Sequence, residues 1–135
     1  MKTYVISAED QARITEFLKS YRPFISSEIE QIALLKNKLR DAVIVPESRL
    51  SRTTISMYST AKVMNLTYRE TGLYMLVYPH HANPGRRKLS ILSPLGRTLL
   101  GCSEGDFIDC ALGDDILKLA VTEVLQPKVH GELQR

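Results

Sequence analysis

Tryptophan is absent from this chain of 135 residues, and cysteine occurs only twice and histidine three times. Cys102 and Cys110 have neither a CxxC spacing nor a neighbouring set of His ligands, so no metal knuckle is encoded. Cys110 alternates with Ile108 and Leu112, which makes it a buried free thiol on the apolar face of a strand. No apolar run approaches the roughly 20 residues that span a bilayer. The N-terminus, MKTYVISAED, lacks the apolar segment of a secretory signal. The expectation is a cytoplasmic protein with no membrane contact. GxSxG, HExxH and Walker-type loops are all missing, which leaves no motif for a nucleophile, a zinc hydrolase or a nucleotide phosphate. Internal repeats and low-complexity segments are missing too. Charge of one sign is also scarce: a net +3 and a pI near 8.9 permit an acidic partner but make no dense basic stripe.

What is present is the composition of a folded globular chain, 44% hydrophobic and 24% charged. Ser7 is placed to cap a helix with Asp10 at its third position, and Ile14, Phe17, Leu18 and Tyr21 follow at helical spacing. Tyr21-Arg22-Pro23 ends that helix, because the residue before proline avoids the helical region. Ser27 and Glu30 form a second capping box, opening a helix with Ile32, Leu35 and Leu39 on one face. The pair predicts an antiparallel helical hairpin. At 1.5 Å per residue, arms of about 14 residues reach only about 20 Å.

Beyond Val43-Ile44-Val45-Pro46 the signals turn to β structure. Strands are predicted over Thr53 to Tyr58, Ala61 to Leu66 and Leu73 to Tyr78, with a turn at Tyr68 to Gly72. His80 to Lys88 is a loop by composition, and a short strand follows at Leu89 and Ile91. Ser93 then caps a one- to two-turn helix with Pro94 at its first position, where a missing N–H costs nothing. Leu95 and Leu99 share a face of that helix, and Gly101 is its left-handed stop. Asp106 to Leu112 and Ile116 to Leu125 form a hairpin about Gly113-Asp114, with a bulge near Thr122 where the alternation slips. The expected class is α+β: a short helical hairpin, then a twisted antiparallel sheet carrying one short helix. Its expected layout is a hairpin over 1–41, a linker over 42–52, a second domain over 53–126 and a loose tail over 127–135.

Candidate chemistry is thin. On a strand the adjacent His80 and His81 would point to opposite sides, and no acidic or thiol neighbour lies within six residues, so solvated side chains explain them better than a metal. Glu28 and Glu30, two apart on a helix, are poorly placed to chelate one ion and suit the helix dipole instead. Arg86, Arg87 and Lys88, with Arg49, Arg52 and Arg97, either grip phosphates or keep an edge strand from pairing with another molecule.

Asn65-Leu66, the run SPLGRTLLG from Ser93 to Gly101, and Glu104-Gly105-Asp106, in this order of parts, resemble the bacterial Gre family of transcription elongation factors. Within that family the Rnk-like members are the nearest in kind. The likeness is clearest from about Thr53 to Leu125. It implies an FKBP-like fold for the second domain. It also implies binding to RNA polymerase at the rim of the secondary channel through Ser93, Pro94 and Leu95, with the hairpin pointing toward the channel. Cleavage-stimulating members carry an acidic pair at the tip of a long coiled coil, which brings Mg²⁺ to the polymerase. The tip here, Lys19 to Ser27, holds no acid and two cations. The resemblance therefore implies a non-enzymatic modulator of elongation, without transcript cleavage and without a cofactor. Two other readings stand beside it. One is an FKBP-like peptidyl-prolyl isomerase, against which the missing tryptophan counts; the other is direct nucleic-acid contact through Arg86, Arg87 and Lys88.

Overall fold

In the computed structural model, which describes residues 2–127, strand β1 (Val5–Ser7) runs straight into helix α1 (Ala8–Ser20). Ser7 caps this helix, its Oγ accepting from the Asp10 N–H at 3.0 Å. The Asp10 carboxylate does not turn back to the cap. Its Oδ2 accepts from the Met57 N–H at 2.9 Å, fastening α1 to the second half of the chain. Ile14 and Leu18 are the apolar side chains that α1 buries.

Helix α2 (Ser26–Asp41) starts one residue before the expected cap, and Ser27 caps nothing. Glu28 explains the difference. Its carboxylate reaches across the turn to accept from the Tyr21 hydroxyl at 3.0 Å and the Phe24 N–H at 2.9 Å, so the turn is satisfied without a hydroxyl cap. Strand β2 (Val43–Val45) then pairs in parallel with β1, Val5 opposite Val43 and Ser7 opposite Val45. Because β1 enters α1 and β2 leaves α2, this pairing closes the base of the hairpin. Nothing in the spacing of Val5 to Ser7 announced that strand.

The main sheet contains β3 (Thr60–Asn65), β4 (Glu70–Val77), β5 (Lys88–Ser90), β6 (Phe107–Leu112) and β7 (Asp115–Leu125), in the order β5-β4-β3-β7-β6. The α+β class holds, but the sheet is mixed rather than wholly antiparallel. Strand β5 runs parallel to β4, Met75 opposite Lys88. The connection makes two single 3₁₀ turns, at Pro79–His81 and Pro84–Arg86. Asn83 and Lys88 exchange backbone bonds of 3.0 and 3.1 Å, which swings the chain round before it meets β4.

The expected strand at Thr53 to Tyr58 does not form, although Ile55 and Met57 are buried as its alternation required. Hydroxyls win this segment. Ser51 Oγ lies 2.8 Å from Thr53 Oγ1, and Ser59 Oγ accepts from the Ser56 N–H at 2.9 Å. Tyr58 then takes a φ of 67°, incompatible with an extended run. Only Thr54 keeps a bridge, to Ser103.

The bulge falls where it was expected. Lys62 opposes Glu123 and Val63 opposes Val121, leaving Thr122 unopposed, with its hydroxyl donated to the Lys62 carbonyl at 3.1 Å. Gly113, at φ 61°, turns β6 into β7. Ile108 and Cys110 face inward as read, whereas Leu112 is 39% exposed at the end of its strand. One buried cluster joins the hairpin (Ile14, Leu18, Leu35, Leu39) to the sheet (Val63, Leu76, Leu119, Val121). Residues 128–135 of the expected tail lie outside the described residues.

Candidate functional site

Helix α3 (Pro94–Leu99) sits between β5 and β6 and opens as its sequence dictates. Ser93 Oγ accepts from the Gly96 N–H at 3.1 Å and donates to the Ser90 carbonyl at 2.7 Å, so one hydroxyl closes the turn from both sides. Pro94 occupies the first helical position. Gly96 packs so close to the Ser90 carbonyl that a Cβ would collide with it. Leu99 is fully buried and Leu95 packs half-buried on the same cluster. The turn is tied down at several points: the Ile91 N–H donates to the Val77 carbonyl at 2.9 Å, the Leu92 N–H to Ser90 Oγ at 2.9 Å and the Ser93 N–H to the Ser90 carbonyl at 3.0 Å.

Helix α2 runs beside it. Arg97 Nε donates to Gln31 Oε1 at 2.9 Å. Lys38 Nζ donates to the carbonyls of Arg97 and Thr98 at 2.6 and 3.0 Å, capping the end of α3. The same ammonium lies 4.0 Å from the centre of the Tyr4 ring. Burial pulls its pKa down from 10.5 to about 7. Burial likewise pushes the Cys102 thiol up to about 11, its Sγ resting 3.3 Å from the Thr98 carbonyl. These links were invisible as motifs. Their one trace is that Gln31 and Lys38 stand seven apart, on the stripe of α2 next to Leu35.

Ser93 and Pro94 line a cleft of about 250 Å³ whose opposite wall is the start of α2, through Ile25, Glu28 and Gln31. Leu95 faces a different cleft of about 180 Å³, with Tyr74, Arg87 and Leu117. The three expected docking residues thus lie on one turn but serve two surfaces.

In the basic loop Arg86 and Arg87 are both exposed, and Arg87, at φ 57°, donates to the Tyr74 hydroxyl at 3.2 Å with its guanidinium 5.3 Å from the centre of that ring. Lys88 is half-buried within β5. His81 Nδ1 is hydrogen-bonded to the Tyr58 hydroxyl at 2.8 Å, and His80 stacks on Tyr78. Among the described residues no group of three or more His, Cys, Asp or Glu converges as a metal site. No described helix is long and apolar enough to cross a membrane.

A serine–proline turn thus feeds a six-residue helix beside a five-stranded mixed sheet, all of it following two helices. The family described as "Transcription elongation factor, GreA/GreB, C-term" matches residues 50–126, more than half of the chain. The chain belongs to the GreA/GreB family. Transcription elongation factor GreA of Clostridium botulinum strain Alaska E43 is 34% identical over 94 residues, covering 70% of this chain and 59% of that one. GreA of Clostridium botulinum strain Hall is 33% identical over 106 residues, covering 78% of this chain and 64% of that one. The match therefore spans about three-fifths of the length of these GreA proteins. The solved structure of a "Prokaryotic transcription elongation factor GreA/GreB from Nitrosomonas europaea" superposes with a TM-score of 0.73 at 26% identity. It covers 93% of this chain and 99% of that one, so the two helices as well as the sheet have their counterparts in a GreA/GreB structure.

Proposed function

We propose that this GreA/GreB-family chain is a cytoplasmic, non-enzymatic modulator of transcription elongation of the Rnk-like kind. It binds RNA polymerase at the rim of the secondary channel through the Ser93-Pro94-Leu95 turn and does not stimulate transcript cleavage. The FKBP-like character of residues 53–126 and the division into hairpin (1–41), linker (42–52), domain and tail (127–135) belong to the same proposal.

One observation carries it. A turn that is closed by its own hydroxyl, and so needs no catalytic group, stands beside a hairpin whose nearest tip acid is already engaged. Glu28 accepts from the Tyr21 hydroxyl and the Phe24 N–H, so a metal ion would compete with the turn's own hydrogen bonds for this carboxylate. The arms support the same reading: 13 and 16 residues rise only about 20 and 24 Å. A factor of this build occupies the rim without delivering a carboxylate to a distant centre.

Competition on stalled elongation complexes tests both halves of this statement. Excess chain is expected to suppress the transcript cleavage stimulated by an authentic GreA while producing none above the intrinsic rate. Cleavage stimulated by the chain itself, or GreA-stimulated cleavage left undiminished, contradicts it.

A further inference from the structure

A cleft of about 440 Å³ opens between helix α1 and the segment that joins β2 to β3, and it shares no lining residue with the Ser93-Pro94 turn. Asp10 and Arg13 line it from α1, Arg52 and Tyr58 from the joining segment, and Tyr78 from just beyond β4. Three features of its wall are left over from folding. The Tyr78 hydroxyl is buried and has no hydrogen-bond partner among the described residues, a rare state for a buried polar group. The Asp10 carboxylate is only 6% exposed, yet the Met57 N–H engages Oδ2 alone, and no hydrogen bond among the described residues reaches Oδ1. Burial accordingly raises its pKa above the usual carboxylate value. Tyr58 holds a left-handed backbone at φ 67°, pinned by its N–H on the Leu76 carbonyl at 2.6 Å and by its hydroxyl on His81 Nδ1 at 2.8 Å. A bulky residue in that region is strained, and such strain gathers at sites that hold something.

The charges of the cleft say what it suits. Asp10 and Arg13 stand three apart on one face of α1, a spacing at which opposite charges can meet. Among the described residues they form no ion pair, and neither do Glu47 and Arg52, which also line the cleft. Two carboxylates and two guanidinium groups leave it neutral as a whole but divided in depth: Asp10 is buried, whereas Arg13, Glu47 and Arg52 are exposed. The Tyr58 and Tyr78 rings stand 6.1 Å apart and tilted by 53°, a corner whose faces attract a cation. An inner end of carboxylate and tyrosine suits an ammonium group, which donates three hydrogen bonds. The two arginines suit a carboxylate. A lone anion would meet Asp10, and a lone amine would leave both arginines without a partner.

We propose that this cleft binds a free α-amino acid with an apolar or aromatic side chain. The ammonium group of the ligand donates to Asp10 Oδ1 and to the Tyr78 hydroxyl oxygen, and its carboxylate pairs with Arg13 and Arg52. Its side chain lies on Leu50, Met57 and the tyrosine rings. Bound there, the amino acid bridges α1 to the segment before β3 and braces the hairpin on the sheet, in the kind of crevice between two parts of a chain that small molecules favour.

The test is calorimetric titration of the full chain with L-leucine and L-phenylalanine up to millimolar concentration. Beside them run the amines that lack the carboxylate, 3-methylbutylamine and 2-phenylethylamine, and the acids that lack the amino group, 4-methylpentanoate and 3-phenylpropanoate. The variants are Tyr78→Phe and Arg13→Gln, each with its melting temperature recorded. Tyr78→Phe breaks no hydrogen bond of the described residues and Arg13 is exposed, so both are expected to melt with the parent. At least one of the two amino acids is expected to saturate the chain one-to-one and to raise its melting temperature. Its matching amine and acid are expected to bind about tenfold more weakly or worse, since each lacks a charge-assisted contact. Each variant is expected to lose about fivefold or more in affinity, the worth of one hydrogen bond. No saturable binding by either amino acid overturns the proposal. So does an amine or an acid that binds as tightly as its amino acid, which assigns the cleft to a lone cation or a lone anion. Binding that either variant leaves within twofold of the parent overturns the site. None of these results bears on the docking turn, which lies outside the cleft.

Discussion

At Gly101 the backbone takes a φ of 84°, its N–H donates to the Ile55 carbonyl at 3.0 Å, and its carbonyl accepts from the Val5 N–H at 3.2 Å. One residue thus holds the end of α3, the segment before β3 and the first strand together in a conformation that L side chains resist. Gly101→Ala is expected to lower stability by about 1–2 kcal/mol in chemical denaturation, from the left-handed backbone alone. Lys38 gives a second residue-scale consequence, with its sign fixed by linkage. Burial lowers the folded-state pKa from 10.5 to about 7, so between those values the unfolded chain binds more protons than the folded one. Stability attributable to this group therefore climbs with pH, by up to about 1.4 kcal/mol per pH unit. Cys102, shifted up to about 11, imposes the opposite slope above its ordinary value of 9.0, so the clean window is pH 7 to 9. Denaturation curves for the parent and Lys38→Met across that window are expected to diverge, the parent gaining stability with pH and the variant staying flatter.

At the scale of elements, segments governed by neighbours in sequence were legible and those governed by distant partners were not. The Ser93 cap, the Pro94 start, the left-handed Gly101, the Gly113 turn and the Thr122 bulge all follow from local chemistry or from a slip in alternation, and all are present. Thr53 to Tyr58 has a strand's alternation, yet it coils because Gln126, some seventy residues away, organises it. Gln126 Oε1 accepts from the hydroxyls of Ser56 and Ser59 at 3.2 and 2.7 Å. Its Nε2 donates to the carbonyls of Arg52 and Thr54 at 2.9 and 2.8 Å. No local pattern encodes a side chain with four such partners. Gln126→Ala strips all four at once and is expected to cost about 1–3 kcal/mol, with protease sensitivity rising at Ser51 to Ser59. The parallel β5 was hidden for a related reason, since its direction depends on how Asn83 folds back on Lys88. In the candidate site, the turn at Ser93-Pro94 was visible in the sequence. Its opposite wall on α2 was not, because Gln31 and Arg97 meet only after the chain has folded.

For the whole molecule, the hairpin and the sheet do not stand apart. Asp10 reaches Met57, Glu9 accepts from the Glu47 N–H at 2.9 Å, Arg97 holds Gln31, and Lys38 caps α3, all over one continuous buried cluster. Contacts of this kind between the two parts favour the proposed binding as a single block, with little ordering left to be done. The short helices are braced against the sheet, and the start of α2 lies across a cleft from the Ser93-Pro94 turn proposed for docking. RNA polymerase is the proposed partner, and equilibrium titration of labelled chain with core polymerase at low salt, with co-elution from a sizing column, decides that. A saturable one-to-one complex at micromolar concentration is expected. Separate elution with no saturable signal up to that concentration would contradict it.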